Sequence, residues 1–113
     1  MEPVLTVKFY RSPGGSEPVR DWLLALSREA RRAIGEDIKT VQFGWPLGMP
    51  LVRKIEARLW EVRSHVPGGI ARVFFTTAGQ QLVLLHGFIK KSQVTPAEEL
   101  TTARRRGREV NRG

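Results

Sequence analysis

The sequence contains no cysteine, which excludes a disulfide framework and any thiolate-held metal. Its two histidines, His65 and His86, have no clustered carboxylates around them, so no metal site is expected. There is a single tyrosine, Tyr10, close to the start of the chain. No apolar run approaches the ~20 residues that cross a bilayer, and the first residues lack the basic-then-apolar layout of a secretory signal. A cytoplasmic protein without membrane contact is the expectation. No Gly-rich loop leads into Lys-Ser or Lys-Thr, which sets aside the phosphate loop of an NTPase, and Gly68-Gly69 reads better as a turn. No serine stands in a nucleophile elbow, and no repeat or long linker divides the chain.

What the chain has in excess is positive charge. Its net charge is +8 over 113 residues, a length that fits one domain spanning 1–113. Residues 1–50 carry seven Lys/Arg and six Asp/Glu, whereas residues 51–113 carry twelve and five. Charge this lopsided gives a one-sided field suited to phosphate, although an acidic protein would answer to it as well.

Residues 4–10 (VLTVKFY) read as a strand that stops at Ser12-Pro13-Gly14-Gly15. Ser16 is the expected cap of a helix with Pro18 in its first turn and Val19, Trp22, Leu23 and Leu26 inward. A second helix is expected to start after Ser27 and run towards Phe43, with Ala30, Ile34, Ile38 and Val41 inward. After the Gly- and Pro-rich loop 44–50 come three strand-like segments, 52–63, 70–77 and 81–90. Thr95-Pro96-Ala97-Glu98 then supplies a capping box for a last helix, with residues 104–113 a basic end prone to fraying. The order β-α-α-β-β-β-α gives an α+β fold, two N-terminal helices and a C-terminal helix packed on a curved antiparallel sheet.

Period-two reasoning puts Trp60, Val62, Ala71, Val73 and Phe75 in the core. Glu61, Arg63, Ile70, Arg72 and Phe74 then share the open face. In the last segment Val83, Leu85 and Ile89 take one face and Leu84, His86 and Phe88 the other, with Lys90 and Lys91 at the end. Arginines gathered on one face repel unless an anion is shared among them. The competing reading is that Arg63 merely pairs with Glu61 or Glu56. His86 suits a structural role as well as proton transfer, and Phe74 and Phe88 suit either base stacking or filling of a groove.

Leu59-Trp60-Glu61-Val62-Arg63, Gly69-Ile70-Ala71-Arg72-Val73, Leu85-His86-Gly87-Phe88-Ile89-Lys90-Lys91, Thr95-Pro96 and Ala103-Arg104-Arg105-Arg106 occur in this order. Together they resemble the phage-derived HigB branch of the RelE/ParE toxin superfamily over about residues 4–107. The resemblance implies the toxin of a type II toxin–antitoxin pair, an endoribonuclease that cuts mRNA on the ribosome without metal or other cofactor. It implies Arg63, Arg72, Lys90 and Lys91 as catalytic candidates; His86 joins them as a candidate for proton transfer, and Lys54, Arg58, Arg104, Arg105 and Arg106 are expected to hold RNA. Arg72→Ala would then abolish translation arrest and leave the fold and antitoxin binding largely intact. The implied partners are a cognate antitoxin, the ribosome and its mRNA, and operator DNA only through the toxin–antitoxin complex. The chain departs from the RelE pattern in having no tyrosine near the start of the last helix, which leaves proton transfer to His86, a lysine or Glu61. A gyrase-inhibiting toxin of the ParE kind, or a decayed toxin that only binds antitoxin or DNA, is the alternative.

Overall fold

The computed structural model describes residues 2–90 and 96–112. The chain forms β1 (Thr6–Phe9), α1 (Pro18–Ala25), α2 (Arg28–Gly44), β2 (Val52–Glu56), β3 (Leu59–Val66), β4 (Gly69–Ala78), β5 (Gln81–Lys90) and α3 (Ala97–Arg112). The sheet order is β1-β5-β4-β3-β2. β1 lies parallel to β5, and every other pairing is antiparallel. The α+β class is as expected.

α2 starts where its sequence says, with the Ser27 hydroxyl accepting from the Ala30 amide at 3.1 Å. At α1 the cap position falls on Glu17, with no side-chain cap. Ser16 is diverted to the preceding loop, where its hydroxyl and amide both engage the Ser12 hydroxyl. The Thr95 cap of α3 lies outside the described residues.

The expected single strand 52–63 is two. It folds back at Ala57-Arg58, where Arg58 takes the left-handed conformation (φ 63°). Neither residue is a usual turn former, so no turn was visible in the sequence.

The sheet has two covered faces. α1 and α2 pack on one, over Val62, Ala71, Val73, Phe75, Leu82 and Leu84. α3 packs on part of the other, over Leu59, Phe74, Val83 and Leu85. The face expected to be open is therefore half roofed. The alternation in β3 and β4 is as expected; in β5 it is not. Phe74 pairs with His86 while Phe75 pairs with Leu84, so Leu85 is an extra residue at a β-bulge. The bulge resets the parity: Leu85 joins Val83 beneath α3, and Ile89 joins Leu84 beneath α1 and α2.

Gly87 sits opposite Val73 on the α1 side of the sheet. A Cβ there would fall 2.6 Å from Cε3 of Trp22, so the indole closes on bare backbone. This seats α1. Gly87→Ala is expected to cost about 1–3 kcal/mol as overpacking. The same change in a Trp22→Leu background should cost less, and urea unfolding of the four proteins reads the coupling.

Candidate nucleic-acid interface

The β3–β4 turn is a two-residue hairpin, since Val66 pairs with Gly69. That register brings Arg63 directly opposite Arg72, and Glu61 opposite Phe74. On the other side β2 sets Arg53 opposite Glu61. Paired residues share a face, so Arg53, Glu61, Arg63 and Arg72 all lie on the α3 side of the sheet. Lys90, opposite Ile70, completes the group at the end of β5. α3 roofs the half of this face nearer the β4–β5 turn. The cluster occupies the other half.

One carboxylate organises these cations. Glu61 is 0% exposed and Arg72 is 4% exposed. Arg72 Nη1 donates to Glu61 Oε1 at 2.6 Å. The pair is only half satisfied: Glu61 Oε2, Arg72 Nε and Arg63 Nε are all buried with no hydrogen-bond partner among the described residues. Buried donors without acceptors are costly, and two of them converge here. Arg63 does not pair with Glu56, which instead accepts from Arg104 Nε at 2.8 Å. Burial, followed by the neighbouring Arg72 charge, holds the Lys90 ammonium below the usual lysine range, with Glu61 opposing.

His86 is placed differently. Its Nε2 lies 2.5 Å from Glu99 Oε2, and its Nδ1 lies 3.3 Å from Arg106 Nη1. A guanidinium can only donate, so Nδ1 accepts and the ring proton on Nε2 faces Glu99. The His86 ring forms a three-ring cluster with Phe74 and Phe88, the centroids 5.9–6.5 Å apart. His86 is thus a docking point for α3 rather than a group free on the sheet. Arg106 points inward as well, donating to the Leu85 carbonyl at 2.9 Å and lying over the Tyr10 ring. Tyr10 donates to Glu109, and burial together with that carboxylate raises its pKa. The only tyrosine therefore anchors the C-terminal half of α3.

The remaining sequence candidates scatter. Lys54 pairs with Trp60 and so belongs to the opposite face from Arg53. Arg58, on the β2–β3 turn, and Arg104, on α3, line one groove, and Arg105 is exposed. α3 continues to Arg112, through Gly107, which is buried over Leu85. Lys91 lies outside the described residues. Sequence reasoning missed Arg53, whose place depends on the Arg58 turn, and the partnership of Glu99 with His86.

A mixed five-stranded sheet with two helices on one face, a third helix on the other and a cationic cluster beside it defines a RelE-like α+β domain. The chain belongs to the family described as "Phage derived protein Gp49-like (DUF891)", whose model matches residues 21–108. That family falls within the RelE/HigB-like toxin group. A search of curated proteins finds no match. Among the described residues, no helix is long and apolar enough to cross a membrane.

The buried pair changes what Arg72→Ala should do. It strands the Glu61 carboxylate in the core, and the expected loss is about 3–5 kcal/mol in urea unfolding. This outcome differs from a largely intact fold, and the urea measurement decides between the two. Replacing both partners with apolar residues, Glu61→Leu with Arg72→Met, should recover most of that loss.

Proposed function

We propose that this protein is a toxin that cleaves mRNA on the ribosome, using side-chain cations to stabilise the reacting phosphate. The observation that supports this is the convergence of Arg63, Arg72 and Lys90 on one half of the α3 side of the sheet. In the reaction an RNA 2′-hydroxyl attacks the adjacent phosphorus and the 5′ oxygen leaves. The products are a 2′,3′-cyclic phosphate and a 5′-hydroxyl end. Arg63 and Arg72 take the charge that builds on the non-bridging oxygens. Glu61 is a positioning residue that fixes the Arg72 guanidinium from behind.

Lys90 is assigned the proton transfer. Its lowered pKa makes the neutral amine accessible nearer to physiological pH. His86 is engaged by Glu99 and Arg106 beneath α3, and Glu61 has no exposed surface. The neutral amine accepts the 2′-hydroxyl proton while water protonates the leaving oxygen. An antitoxin with an acidic segment laid over this face would neutralise the toxin.

Purified ribosomes programmed with a defined mRNA, followed by mapping of the RNA ends, test the reading. Wild type should produce new 5′-hydroxyl ends only when ribosomes are present. Lys90→Arg keeps the charge but loses an accessible neutral form, and should slow cleavage by about 10²–10⁴-fold with ribosome binding retained. As a base, Lys90 makes the wild-type rate rise with pH through a midpoint below the ordinary lysine value of 10.5. Intact mRNA with wild type, accompanied by inhibited gyrase, would contradict the proposal and favour a gyrase-directed toxin. Equal rates for wild type and Lys90→Arg would remove Lys90 from the mechanism.

A further inference from the structure

A groove of about 460 Å³ lies on the opposite half of the same sheet face, between the β2–β3 turn and the C-terminal half of α3. Four arginines line it: Arg58 from the turn, and Arg104, Arg108 and Arg112 from the helix. We propose that this groove is a second phosphate-binding element, which holds RNA backbone beside the cluster at Arg63 and Arg72.

The helix arginines recur at every fourth residue, so they fall along one flank of α3. Ala103 and Gly107, also four apart, are buried against the sheet. Their small size lets the helix sit low and brings its arginine flank close to the β2–β3 turn. Glu56 is the carboxylate of this lining, and Arg104 already engages it. Arg108 and Arg112 are exposed. The C-terminal end of a helix favours cations, which helps to hold several arginines there.

Arg58 supplies an independent observation. It takes a left-handed backbone conformation in which glycine or asparagine sits without strain. An arginine there costs about 1–2 kcal/mol of backbone strain. Its side chain reaches across to Asn111 Oδ1 at 3.0 Å, which places the guanidinium on the rim of the groove. Strain retained for the sake of a side chain points to a use for that side chain.

The occupant follows from the lining. A protein segment needs apolar pockets for anchor residues. Here the floor is made by Ala103, Gly107 and Leu59, the last almost fully buried, and the walls offer planar, five-donor forks matched to phosphate oxygens. β2 joins the two elements, because Arg53 belongs to the cluster and Glu56, three residues on, lines the groove. RNA seated at the cluster can therefore continue along the flank of α3. The groove extends the proposed RNA site and needs no cleavage to operate.

The test is fluorescence anisotropy of a labelled 2′-O-methyl oligouridine, which lacks the attacking hydroxyl, across a salt series. Each phosphate contact to a single strand contributes about 0.7 to the slope of log K against log salt. Arg108→Gln with Arg112→Gln should therefore make the slope shallower by about 1.4. Lys39→Gln, an exposed change on α2 across the sheet from the groove, should leave it unchanged. Arg58→Gly should bind more weakly and yet melt no lower than wild type. An unchanged slope in the double variant, or a change of equal size from Lys39→Gln, would overturn the groove in favour of a diffuse field. So would a polyglutamate peptide that binds as tightly as the RNA and is weakened equally by the double variant. Cleavage is read separately: a chain that fails to cut but shows the slope change refutes the nuclease reading alone, and one that cuts with an unchanged slope refutes the groove alone.

Discussion

The structure turns on a single buried carboxylate. Glu61 has no exposed surface, and Arg72 closes over it. A lone carboxylate in that position would be expensive, and so would Arg63 facing Arg72 across two strands without an acid between them. Each charge makes the other tolerable. The result is a guanidinium held by packing and by an ion pair, its Nε–H without a partner among the described residues, in a field to which Arg53, Arg63 and Lys90 all contribute. A group fixed in this way loses little entropy when an anion arrives, which is what electrostatic stabilisation of a transition state requires.

α3 depends on a second set of polar contacts. Glu99 meets His86, Arg106 meets His86 and the Leu85 carbonyl, Glu109 meets Tyr10, and Arg104 meets Glu56. The helix is strongly polar overall, and its apolar seat is little more than Leu100, Ala103 and Val110. These contacts divide its arginines into two kinds. Arg106 is spent on docking, whereas Arg105 and Arg108 remain exposed. An arginine run in sequence is therefore several different things in space.

Much of this was legible in the chain. Alternation in 59–63 and 70–75 placed Arg63 and Arg72 on one face because half-buried antiparallel strands must alternate. The Pro67-Gly68 turn fixes the register, and counting back from Val66 and Gly69 gives Arg63 opposite Arg72 and Glu61 diagonal to it. The partnership of Arg72 with Glu61 was thus within reach of the sequence, although no acid stands near Arg72 along the chain. The bulge at Leu85 was not legible, since the run from Leu82 to Leu85 is apolar throughout and suits either face. The turn at Arg58 was hidden by the absence of Gly, Asn or Pro, and with it the place of Arg53. The docking of α3 was masked by its charge; the signal was the pair of small residues Ala103 and Gly107, spaced four apart.

The central claim is that Arg63 and Arg72, gathered around Glu61, bind phosphate together. Arginine Nε–H resonances followed by NMR during titration with a non-cleavable 2′-deoxy dinucleotide test it most directly. The account predicts that the Arg63 and Arg72 signals shift together and saturate at one concentration. Saturable shifts confined to the arginines of α3, with Arg63 and Arg72 unmoved, would contradict it.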